Sequence, residues 1–203
     1  MPSCVMRRDG WVALAGRALS TFIVALLAIT GSVMVLAHGG PPHAHAPFAA
    51  PFADNRTHQY TSIETTTSDF NHWRPFIVAS MNDDYDPTNL VVLERQRFTP
   101  VNWVDVYWYV VPSWLMTYPT AAAEAQCQGY VTGSTTICDR FSIKINDNVA
   151  TGMSVLHKHN MACHEIGHTV GFRDGGTAQT SCMDGGNNQM LGTYEIAKIN
   201  LHY

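Results

Sequence analysis

The sequence predicts an α+β domain, and three observations predict it. Strand-like and helix-like segments alternate from about Asp54, "DRFSIKIN" alternates apolar and polar side chains, and a long helical pattern from about Met153 to Val170 ends at Gly171. The expected architecture is a mixed twisted sheet with a backing helix and a second helix that carries the site. A small C-terminal subdomain with its own helix should follow. A chain of 203 residues, 46% hydrophobic and 14% charged, suits one domain with a real core plus an N-terminal extension.

In that extension, Arg7, Arg8 and Arg17 precede an uncharged apolar run from Ala18 to Ala37, the layout of an export signal. Val35 and Ala37 are small residues where a signal peptidase reads, so residues 1–37 are expected to be removed after Ala37. Retained, the run is about long enough to anchor the chain in a bilayer. Residues 38–53, rich in Pro, Gly, Ala and His, lack core periodicity and are expected to be a linker or short pro-segment. Within it, His38, His43 and His45 are expected on a solvated tail.

The domain is expected over residues 54–203. "QYTSIETTT" is rich in β-branched residues and should open the sheet. "DFNHWRPFIVASMND" predicts the backing helix, starting at Asp69 or Asn71 with Pro75 in its first turn and Phe76, Ile77 and Met81 on its apolar side. "TNLVVLE" and "VDVYWYVV" are further strands, the second apolar enough to be central. "DRFSIKIN" places Phe141, Ile143 and Ile145 opposite Ser142, Lys144 and Asn146, as an edge strand with one wet face would. On the long helix, Met153, Leu156, Met161, Ile166 and Val170 form the expected buried stripe, and Gly171 reverses the chain. "TYEIAKINLHY" predicts a last helix capped by Thr193, with Ile196, Ile199 and Leu201 facing the domain.

Five cysteines occur, and Cys4 would leave with an export signal. The other four are an even number, suited to a compartment where disulfides persist. Of the three pairings open to them, the local one is expected: Cys127 with Cys138, and Cys163 with Cys182. No C-x-x-C pair is present, which argues against a structural zinc cluster. Losing residues 1–37 removes three arginines and Asp9, so the net charge of −4 becomes −6. A nucleic-acid partner, which needs a basic footprint, is excluded.

The chemistry concentrates in "CHEIGHTVGFRD". On a helix, His164 and His168 lie one turn apart on one face, about 6 Å along the axis, where two imidazoles can hold one metal ion. Glu165 projects to the flank of that face, near enough to act on a water at the metal without ligating it. A catalytic zinc takes three protein ligands and leaves a position open, so a third ligand must follow the helix. If the chain turns back at Gly171, Asp174 can supply it.

H-E-x-x-H-x-x-G-x-x-(H/D) followed by a methionine turn is the signature of metzincin zinc endopeptidases, and "HEIGHTVGFRD" with "SCMDGG" resembles it. The aspartate in third place resembles the snapalysin branch; matrixins and astacins carry histidine there. The resemblance implies that His164, His168 and Asp174 bind one catalytic Zn2+, that Glu165 is the general base, and that Met183 lies beneath the metal. It also implies a sheet whose edge strand pairs with substrate, a role that falls to "DRFSIKIN". The resemblance is firm from about Phe141 onward and architectural before that. Gly185 stands two residues after Met183, where some metzincins have a tyrosine; Tyr194 could substitute, although a packed helix residue is expected.

The resulting expectation is a secreted, monomeric zinc endopeptidase acting on protein or peptide substrates, with no membrane partner once the signal is gone. Nothing in the sequence indicates a Ca2+ site. The alternative is a non-catalytic zinc-binding extracellular or surface module, which would keep the ligands and lose Glu165. His157 and His159 lie too far along the helix to share this zinc. Trp103, Tyr107, Trp108, Tyr109 and Trp114 are expected in core and rim.

Overall fold

The computed structural model describes residues 45–63, 67–96, 99, 101–184 and 188–203. The export signal or anchor at residues 1–37, His38, His43 and Gly185 lie outside the described residues. No helix among the described residues is long and apolar enough to cross a membrane.

In chain order the elements are β1 (Phe52–Ala53), β2 (Thr57–Ile63), α1 (Thr67–Val78) with a π-helical continuation (Ala79–Asp84), β3 (Val91–Glu94), β4 (Val106–Val111), β5 (Ala123–Tyr130) and β6 (Ile137–Asn146). The helices α2 (Asp147–Ala150), α3 (Val155–Thr169) and α4 (Thr193–His202) follow. Strands β3, β2, β4 and β6 run parallel in that spatial order, and β5 pairs antiparallel with the outer edge of β6. β1 adds a short parallel pairing at the start of β6, Phe52 opposite Ile137. The sheet is therefore mixed, with the apolar β4 at its centre.

Cross-strand register builds the core face. Tyr60 lies opposite Val106, Val106 opposite Phe141, Trp108 opposite Ile143, and Ile143 opposite Ala125. This face meets α1 and α3 through Trp73, Ile77, Met81, Met161 and Ile166, all buried. The disulfides are Cys127–Cys138, joining β5 to β6, and Cys163–Cys182, joining α3 to the turn that holds Met183.

Several expectations are corrected. "DRFSIKIN" is interior, lying in β6 between β4 and β5, and β5 is the antiparallel edge. Its polar face is covered by the segment leading into β5: Lys144 Nζ donates to Leu115 O at 3.1 Å and to Glu124 at 3.2 Å. Asn146 Nδ2 donates to Pro119 O and Ala121 O at 2.9 and 2.8 Å. The polar residues thus satisfy loop carbonyls, and alternation marked a covered face where a wet one was expected.

The backing helix begins at Thr67, so Pro75 lies inside it. Pro75 is exposed, and the carbonyl its missing N–H would serve belongs to Asn71, also exposed, so solvent can replace the bond. Leu156 is 40% and Leu201 83% exposed, each near a helix end, whereas Met161, Ile166 and Ile199 are buried. Gly192, one residue earlier than expected, is the N-cap of α4. Residues 45–53 lie against the domain: Ala46 is buried, Phe48 bridges to Phe172, and Ala49 N donates to Gly171 O at 2.7 Å.

Candidate metal centre

Ser154 starts α3, its hydroxyl accepting from His157 N. At the other end Gly171 has φ +107°, and Phe172 N donates to Gly167 O at 2.9 Å, which closes the helix and turns the chain. A Cβ at Gly171 would also fall 2.3 Å from the Phe52 ring. This turn brings Asp174 back over the helix.

Asp174 Oδ1 is 3.0 Å from His164 Nε2 and 3.6 Å from His168 Nε2, and the three side chains offer ligand atoms within 4.8 Å of one another. The imidazole rings stand nearly perpendicular, with centroids 4.7 Å apart. Each ring is oriented from behind: His164 Nδ1 lies 3.0 Å from Cys182 O, and His168 Nδ1 lies 2.8 Å from Phe172 O. A carbonyl only accepts, so each Nδ1 carries the proton and, in the neutral ring, each Nε2 presents a lone pair toward Asp174. Two imidazole nitrogens and one carboxylate on a partly open face form a zinc-type donor set.

Burial pulls the His164 pKa down, but the Asp174 hydrogen bond and the charges of Glu165 and Asp174 more than offset it and raise it to about 9. Burial and then His164 itself lower His168 to about 4. Asp174 thus supports one positive charge between the two rings, and a metal cation can take the place of that proton.

Glu165 is 6% exposed and sits between α3 and β5. Its Oε2 has no hydrogen-bond partner among the described residues. Burial raises its pKa to about 7, with His164 opposing and Asp174 and Glu124 adding; the Ala125 amide of β5 pulls it down slightly. A carboxyl poised near neutrality beside a metal-type cluster can accept and return a proton.

Met183 is buried against α3, and a Cβ at Gly167 would lie 2.1 Å from its Sδ. The Cys163–Cys182 bridge brings Cys182 to the helix just before His164, and the Cys182 carbonyl orients that histidine. Tyr85 Oη donates to Cys163 O at 3.0 Å from the other side. Gly167, Tyr85 and the two carbonyls were missed in the sequence. Only Gly167 carried a signal, since an interior helical glycine costs about 1 kcal/mol relative to alanine and so marks a close approach.

His157 and His159 are not part of the cluster. His157 Nδ1 lies 3.0 Å from Ser154 Oγ, and His159 Nε2 lies 2.9 Å from the buried Asp84. Tyr194 stacks on His45, as a packed residue. Trp108 and Tyr107 are buried, whereas Trp103 and Trp114 are 68% and 76% exposed. No family profile matches the chain, and no curated protein matches it.

Proposed function

We propose that this chain is an exported zinc-dependent endopeptidase of metzincin type, hydrolysing peptide bonds in protein or peptide substrates. One observation carries the reading: Asp174 meets both His164 Nε2 and His168 Nε2, while Glu165, buried and short of a hydrogen-bond partner at Oε2, flanks them.

His164, His168 and Asp174 would hold the ion, with the Cys182 and Phe172 carbonyls fixing the ring planes. Bound zinc supplies a Lewis acid that polarises the scissile carbonyl and acidifies water. Glu165 accepts the proton of the attacking water and returns it to the leaving amine. Burial of Glu165 raises its proton affinity, which favours taking the proton in the first step.

The strand role suggested by the resemblance passes from β6 to β5, whose outer edge is unpaired among the described strands. An extended peptide can add there through main-chain hydrogen bonds, next to Glu165. Casein digestion with and without a zinc chelator tests the reading. Digestion that stops with chelator and returns with zinc supports it; digestion indifferent to chelator refutes it.

A further inference from the structure

Three parts of the chain converge on His45, Asp184 and Glu195: the segment before β1, the turn carrying Met183, and the first turn of α4. Asp184 is 2% exposed and Glu195 fully buried. His45 Nδ1 lies 3.8 Å from Asp184 Oδ2 and 3.9 Å from Glu195 Oε1. These separations are too long for hydrogen bonds. The three residues offer ligand atoms within 4.8 Å of one another.

Each group is aimed. The His45 ring stacks on Tyr194 with centroids 4.4 Å apart and planes 14° apart, which fixes the ring with Nδ1 inward. Asp184 Oδ1 accepts from Ala46 N at 3.2 Å, and Oδ2 accepts from Thr180 Oγ1 at 3.0 Å and Thr180 N at 3.4 Å. A Cβ at Gly176 would fall 2.2 Å from Asp184 Oδ1, so a glycine admits the carboxylate. His45 Nδ1 and both Glu195 oxygens are buried without a hydrogen-bond partner of proper geometry among the described residues, the Glu195 amide and the Ser181 hydroxyl lying near the Glu195 carboxylate without completing one.

Two buried carboxylates are costly unless paired with positive charge. A divalent cation matches their charge. An all-oxygen set would suit calcium or magnesium, whereas an imidazole with two carboxylates suits zinc. Ligand atoms about 2.0–2.2 Å from a tetrahedral zinc lie ~3.4 Å apart, a contraction within reach of small side-chain rotations.

We propose that His45, Asp184 and Glu195 form a second metal site, a structural zinc site distinct from the cluster on α3. It fastens the segment before β1 to α4 and to the Met183 turn. Because Asp184 follows Met183, and Met183 packs on Gly167 between the two α3 histidines, the second ion braces the floor of the first site. The assignment stands whether or not the α3 cluster is catalytic.

The test is zinc stoichiometry by mass spectrometry on the purified full chain, loaded with zinc and dialysed against metal-free buffer. Two equivalents are expected in the wild type, one in Glu195→Gln or His45→Ala, one in His164→Ala, and none in the His45→Ala/His164→Ala double variant. One equivalent, lost in His164→Ala and retained in His45→Ala, overturns the second site and leaves the proposed function intact. One equivalent lost only in His45→Ala supports the second site and sinks the proposed one. Should the variants fail to fold, anomalous diffraction at the zinc edge from wild-type crystals grown with zinc decides. A peak bounded by His45 Nδ1, Asp184 and Glu195 supports the site, and no peak there overturns it.

Discussion

Met183 occupies the place where a side chain at Gly167 would be: a Cβ built there lies 2.1 Å from the methionine sulfur. The methionine is 1% exposed and so has little room to withdraw. Gly167→Ala is therefore expected to destabilise the domain by about 1–3 kcal/mol, despite alanine's better helix propensity. It should also weaken zinc retention, since His164 and His168 flank that position. Thermal melts with and without zinc check this; an unchanged melting temperature would show that Met183 is not held in place.

Glu165→Gln keeps the shape of the side chain and removes the proposed base. Zinc content should stay at the wild-type level while peptide hydrolysis falls roughly 10²–10⁴-fold. Wild-type turnover in this variant would remove Glu165 from the mechanism.

Asp174→Ala leaves two histidines to hold the ion in the α3 cluster, so its zinc affinity should fall on the order of 100-fold or more, and Asp174→His should partly restore it. Competition with a chromophoric chelator, in a Glu195→Gln background to silence the second site, measures both. Equal affinity for the aspartate and alanine forms would make Asp174 a turn residue.

His58 gives a pH dependence that can be read without metal. Its ring is fully buried, and burial lowers its pKa from 6.5 to about 4. Between those values the unfolded chain binds the proton more readily, so this contribution is complete above about pH 6.5 and is lost as pH falls toward 4. The loss amounts to roughly 3 kcal/mol at most. Urea unfolding in excess chelator at pH 7 and pH 5 should show a steeper decline in wild type than in His58→Asn. Parallel declines would show that His58 does not carry the effect.

Much of the candidate site was legible because its parts are close in sequence. His164, Glu165 and His168 share one helical turn, Gly171 ends that helix, and Asp174 lies three residues beyond, so local periodicity sufficed. The disulfides were legible for the same reason, each closing a short segment. What was illegible depends on distant partners. The alternation in β6 looks the same whether its polar face meets water or the carbonyls of Leu115, Pro119 and Ala121. His45 sits in a Pro- and Ala-rich stretch that reads as a tail, and only the folded chain sets it beside Asp184 and Glu195. The carbonyls of Cys182 and Phe172 belong to every residue type and leave no trace in composition.

Cys182 has two attachments to α3: its sulfur is bonded to Cys163, and its carbonyl orients His164. Both run through one residue, 18 positions after His164, so the His164 ring is not held from behind until the turn carrying Met183 has packed on α3. Reduction breaks the first attachment and is expected to loosen the second. Protein made in a reducing cytosol is expected to hold zinc weakly and to gain affinity on oxidation, as titration before and after a mild reductant would show; equal affinity in both states would mean the carbonyl keeps its place without the bridge. A cluster braced this way would take its full geometry only once the bridge has formed.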